Sequence, residues 1–150
     1  MHRRVLCLTL LIAATAAFAA CDEKLSSIAG PTPNLEPTFA SLQSEIFENP
    51  DIAGRVACIG CHTSTGRVPA GGLNLNHDVA YDSLVNIASR LKPGAIRVIP
   101  GEPDNSYIVQ KVEGRLGIVG LRMPFSGPPF LSDGQILIFK RWFELGAPRN

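Results

Sequence analysis

Five consecutive residues, Cys58-Ile59-Gly60-Cys61-His62, constrain this chain more than any other stretch. Two thiols three positions apart fit one helical turn. There both can add to the vinyl groups of a single haem, and the histidine that follows reaches the iron as its proximal imidazole. The same residues could form half of a zinc site or a redox dithiol. Zinc needs a fourth ligand beyond Cys58, Cys61 and His62, and only His77 remains once an N-terminal leader is set aside. Adjacent Cys61 and His62 are also awkward on one tetrahedral ion. A dithiol oxidoreductase motif belongs within a βαβ pattern, which the sequence lacks. Covalent attachment of one haem (heme c) is therefore the expectation.

The N-terminus reads as an export signal. His2-Arg3-Arg4 is a positive stretch, and Val5 to Ala17 is an apolar run too short to span a bilayer comfortably, ending in small residues. Phe18-Ala19-Ala20-Cys21 follows and resembles a bacterial lipobox, with cleavage before Cys21 and acylation of its thiol; Ala17-Phe18-Ala19 offers ordinary cleavage as the alternative. The four cysteines favour the lipobox. Haem takes Cys58 and Cys61, and Cys7 leaves with the leader, so Cys21 would otherwise be an odd thiol in an oxidising compartment. The expectation is residues 1–20 as leader, 21–37 as tether and 38–150 as one folded domain, lipid-anchored to a bacterial membrane on its periplasmic side. Without Arg3 and Arg4 the chain holds 12 basic against 13 acidic residues, a balance that argues against a nucleic-acid partner.

Asp22 to Pro37 carries Pro31, Pro33, Pro37, Ser26, Ser27 and Gly30, a composition that extends by about 3.1 Å per residue where it is polyproline-like. Leu25, Ile28 or Leu35 could instead anchor it on the domain. Phe39, Leu42, Ile46 and Phe47 recur at helical spacing after Thr38, a capping residue, and Asn49-Pro50 stops that helix. Asp51 to Ala57 connects it to the haem motif.

Beyond His62, Thr63-Ser64-Thr65-Gly66 and Pro69-Ala70-Gly71-Gly72 are loop chemistry. Tyr81, Leu84, Val85 and Ala88 share one face of an expected helix over Asp78 to Ser89. Asp104 or Asn105 is expected to cap another, running to Gly114 with Tyr107, Ile108, Lys111 and Val112 as its apolar side. In the last helix Ser132 and Gln135 form a capping box. Ile136, Phe139, Lys140 (through its stem) and Phe143 line one face, Leu137, Trp142 and Leu145 broaden it, and Gly146 ends it.

Taken in order, Cys58-x-x-Cys61-His62, Gly71-Gly72-Leu73-Asn74-Leu75, Arg97-Val98-x-Pro100-Gly101-x-Pro103-x-x-Ser106-Tyr107, Met123-Pro124 and a final helix with Trp142 and Gly146-Ala147 resemble the small class I c-type cytochrome domain of exported planctomycete and deltaproteobacterial proteins. The resemblance covers about residues 38–148. It implies an all-α cytochrome c fold, with short helices and long loops wrapped around one covalent haem and the first and last helices crossing over it. Met123 would supply the distal thioether, and Arg97, before the Pro-Gly turn, would reach a haem propionate. His77, 15 residues after His62, is expected on the surface.

A His62/Met123 pair would fill both axial positions of the iron and raise its potential. That ligand set implies a one-electron carrier between redox protein donors and acceptors. No Ser/His/Asp set or paired-carboxylate signature marks it as an enzyme. A haem enzyme or sensor with a labile distal ligand, and a zinc-binding interaction module, remain the alternatives.

Overall fold

The computed structural model describes Thr32, residues 34–50 and residues 54–150. The expected leader, Cys21 and most of the expected tether lie outside the described residues. Among the described residues the protein is all-α: four short helices, several single turns and no strand. Two isolated backbone bridges, Val85 with Val98 and Ala88 with Ile96, are the only sheet-like pairing among the described residues.

Helix α1, Phe39–Leu42, starts as its sequence expects. The Thr38 hydroxyl accepts from Ser41 N–H at 3.2 Å. The next two free amides find Asn150: Phe39 N–H donates to its side chain at 3.0 Å and Ala40 N–H to its main chain at 2.8 Å. The helix then widens into a π turn over Gln43–Phe47, closed by Glu48 N–H on the Gln43 carbonyl at 3.0 Å. Five-residue spacing brings Phe47 back under Leu42, so Leu42, Gln43, Ile46 and Phe47 are all buried. The packed region begins before Thr38: Leu35 is buried in the core, the anchor role weighed for it, and Thr32 is buried against Gln135, whose side chain donates to its hydroxyl at 3.1 Å.

Helix α2 is Ala80–Leu84, shorter than the expected Asp78–Ser89. Val85 turns extended and Asn86 takes φ 58°, so the backbone stops pairing with itself and pairs across instead. Asn86 N–H meets the Val98 carbonyl at 2.9 Å, and Arg97 N–H meets that of Ile87 at 2.8 Å. Ala88, expected on the buried face, is exposed.

Helix α3 is Tyr107–Glu113. Neither Asp104 nor Asn105 caps it; both lie in a 3₁₀ turn, Pro103–Asn105, and Ser106 is the capping position. Gly114 ends α3 at φ 73°. A Cβ there would stand 2.8 Å from Arg122, whose Nε donates to the Val112 carbonyl at 2.7 Å.

Helix α4, Asp133–Glu144, carries the expected capping box between Ser132 and Gln135. It closes with Gly146 N–H on the Phe143 carbonyl and Ala147 N–H on that of Trp142, the paired bonds of a Schellman end. Ile138 joins Ile136, Phe139, Trp142 and Phe143 inside, whereas Leu137 and Leu145, expected to broaden the face, are 57% and 51% exposed. Edge-on ring contacts bind the elements: Phe39 to Tyr81 at 5.1 Å, Phe47 to Phe139 at 6.2 Å, and Tyr81 to Trp142 at 6.5 Å. Glu113, Asp104, Arg115 and Lys140 join α3 to α4 by ion pairs.

Candidate functional site

The motif forms the single turn its spacing requires. Cys58–Gly60 is a 3₁₀ turn in which Cys61 N–H and His62 N–H both reach the Cys58 carbonyl, at 3.2 and 2.9 Å. The loop after it folds back on the motif. Ala70 N–H donates to the Cys61 carbonyl at 3.1 Å, and Leu75 N–H to that of His62 at 2.8 Å. His62 Nδ1 lies 3.0 Å from the Ala70 carbonyl. A carbonyl only accepts, so Nδ1 carries the proton and Nε2 keeps its lone pair. Burial holds the imidazole below the usual histidine range, against the Ala70 hydrogen bond, and nearby Arg97 and Lys111 act in the same direction as burial. The neutral ring is the form that ligates a metal.

Cys58 is half-buried and Cys61 exposed; both thiols are free. Burial pushes the Cys58 thiol up, and the Arg55 guanidinium works against it. Arg55 is 1% exposed. It donates to the Ile46 carbonyl at 3.1 Å and the Asn49 carbonyl at 3.3 Å, with Cys58 Sγ 3.9 Å away. It therefore ties the π turn to the start of the motif.

Cys58, Cys61, His62 and Met123 line one cavity of about 630 Å³. Ile46, Phe47, Leu75, Leu131 and Phe139 supply much of its apolar wall, and exposed Leu91 and Phe125 stand at its rim. A cavity of this size suits a cofactor, for which about 300–1,000 Å³ is usual. Met123 packs half-buried against the core, its N–H on the Lys111 carbonyl at 2.9 Å.

Arg97 also lines this cavity and is 7% exposed. Its two terminal nitrogens donate to the carbonyls of Ser83 at 2.6 Å and Gly72 at 3.0 Å, with Gly71 at 3.4 Å. The guanidinium thus clamps the turn that carries Ala70, the acceptor for His62. Arg55, Arg97 and Lys111 are the cationic residues of the lining, which includes no carboxylate. His77 stands elsewhere, on the surface, 3.0 Å from Glu48.

Two of these residues escape a sequence reading. Lys111 carried a signal, a cation on the apolar face of α3. Arg55 carried none, because its carbonyl partners depend on the π turn. Among the described residues no three His, Cys, Asp or Glu side chains gather as a metal site, and no helix is long and apolar enough to cross a membrane. Comparison with protein-family models, curated proteins and solved structures found no match for the chain.

Proposed function

We propose that this protein is a mono-haem c-type cytochrome, a one-electron carrier with a class I cytochrome c-like fold. One observation carries the proposal: the two thiols, an imidazole oriented through Nδ1 by the Ala70 carbonyl, and the lone thioether beyond the leader all line the same apolar cavity. The chemistry of that donor set fits haem c. Cys58 and Cys61 would hold it through thioethers, and His62 and Met123 would ligate its iron. When bound, haem supplies a one-electron Fe(III)/Fe(II) couple.

The chain's own residues have separable tasks. The Ala70 carbonyl fixes the His62 tautomer and ring orientation. The apolar wall excludes water and lowers the local dielectric. Arg97 and Lys111 put positive charge beside the cavity, which favours the reduced over the oxidised state and suits an anionic propionate. Export and acylation of Cys21 would hold this carrier at the periplasmic face of a membrane, where redox proteins are its donors and acceptors.

The test is the absorption spectrum of protein made with haem-attachment machinery, followed by acid-acetone extraction. Wild-type protein should keep its haem through extraction. Cys58→Ser and Cys61→Ser should each retain at most one thioether, and His62→Ala should lose the proximal ligand. A colourless product that binds zinc, or haem that extracts freely, would overturn the proposal. Avid CO or peroxide binding by the wild-type protein as isolated would favour an enzyme or sensor instead.

A further inference from the structure

Met123 owes its position to one helix. The chain from Gly114 to Met123 holds no helix or strand of its own. Several of its polar groups find partners instead on α3. Val119 N–H donates to the Tyr107 hydroxyl at 2.9 Å. Arg122 Nε donates to the Val112 carbonyl at 2.7 Å, and Met123 N–H to the Lys111 carbonyl at 2.9 Å. Lys111 Nζ donates to the Val119 carbonyl at 2.9 Å and to the Leu121 carbonyl as well.

Lys111 thus grips this segment twice, by its ammonium at Val119 and Leu121 and by its main chain at Met123. The side chain is only 9% exposed, and no carboxylate pairs with it among the described residues. A buried ammonium without a counter-ion depends on its hydrogen-bond acceptors. Here the segment supplies them. The charge and the segment therefore hold each other: release of 119–123 would strip the ammonium of both carbonyls.

We infer that Lys111 is the positioning residue for Met123, the side chain that locks segment 119–123 on α3 and so keeps the thioether in the cavity. Its ligation role for Met123 rests on the proposed function; the locking of the segment does not. Lys92 is the internal contrast. It reaches the same loop, but at the Gly117 carbonyl, 3.0 Å away, outside the 119–123 segment, and from a half-buried position beside the Tyr107 ring.

Hydrogen exchange on the haem-loaded protein, read residue by residue, tests the lock. In the wild type the amides of Val119 and Met123 should be protected to the level of α3. Lys111→Met, which keeps the stem and removes the charge, should speed their exchange by about tenfold or more, the change expected for a lost charge-assisted hydrogen bond. The sulfur-to-iron charge-transfer band should weaken at room temperature, while the far-ultraviolet signal stays that of the wild type. Lys111→Arg should recover much of both, and Lys92→Met should change neither. Wild-type amides at 119 and 123 that exchange far faster than α3 would overturn the lock without any variant. So would a Lys111→Met protein with exchange at 119–123 and a charge-transfer band like the wild type's. Protein that takes up no haem, or a wild type lacking the band, would count against the proposed function, and exchange at 119–123 would still decide on Lys111.

Discussion

At the scale of single residues, two side chains test the axial assignment. Met123 lines the cavity and His77 does not. Met123→Ala should abolish the sulfur-to-iron band of the ferric protein, lower its potential and open the iron to CO, whereas His77→Ala should change none of these. Optical titration with a small ligand distinguishes them. A His77→Ala protein that loses its low-spin spectrum while Met123→Ala keeps it would make this a bis-histidine protein. Arg97 has two roles in one guanidinium, a cation beside the cavity and a clamp on the Gly71-Gly72 carbonyls. Arg97→Gln should lower the midpoint potential by roughly 30–60 mV, where about 59 mV is a tenfold change for one electron. Redox titration at low salt measures it, and an unchanged midpoint would count against the electrostatic role. That Cys58, Cys61, His62 and Met123 come to one place was expected from spacing, uniqueness and the resemblance, and they line one cavity. Arg55 was not expected there, since nothing in its neighbours' identities announces a π turn whose carbonyls need a donor.

At the scale of elements, legibility followed how local the determining forces are. Helix α4 was readable because Ser132, Gln135 and Gly146 act within one turn of their own positions. Helix α2 was over-extended because Val85 and Asn86 answer to Val98, a partner distant in sequence. The α3 cap was misassigned for a related reason: Asp104 is committed elsewhere, to Arg115 at 2.5 Å and Lys140 at 2.7 Å. Those hydrogen bonds hold the Asp104 carboxyl down at about 2, below its ordinary 3.8. A folded-state value below the unfolded one contributes stability above the ordinary value, and that contribution disappears as pH falls through the folded value. Wild type should therefore exceed Asp104→Asn in stability at pH 6, by at most about 1 kcal/mol because the carboxylate is exposed and screened. The gap should close between about pH 4 and pH 2. Urea unfolding midpoints at several pH values would check it; a gap independent of pH would assign the effect to something other than the charge.

At the scale of the whole molecule, the core and the cavity share a wall, since Ile46, Phe47, Leu75, Leu131 and Phe139 belong to both. Leaving that apolar wall without an occupant exposes it to water, a heavy cost for a small domain whose entire stability is about 5–15 kcal/mol. Protein made without haem attachment, as a Cys58→Ala/Cys61→Ala double variant, should melt without cooperativity, while the loaded protein unfolds in one transition. Near-ultraviolet circular dichroism against temperature would check this; a sharp transition in the double variant at the temperature of the loaded form would refute it. The bonds from Asn150 to the first amides of α1 and from Gln135 to Thr32 have a further consequence. The two ends of the described domain are each bonded into the fold, Thr32 at buried Gln135 and Asn150 at the start of α1, so they are not interchangeable points of attachment. A fusion partner joined after Asn150 would press on the start of the first helix and displace its borrowed cap. One inserted in the tether, between Cys21 and Thr32, would leave that cap untouched, so a reporter or immobilising linker belongs there, behind the proposed leader and acylated cysteine.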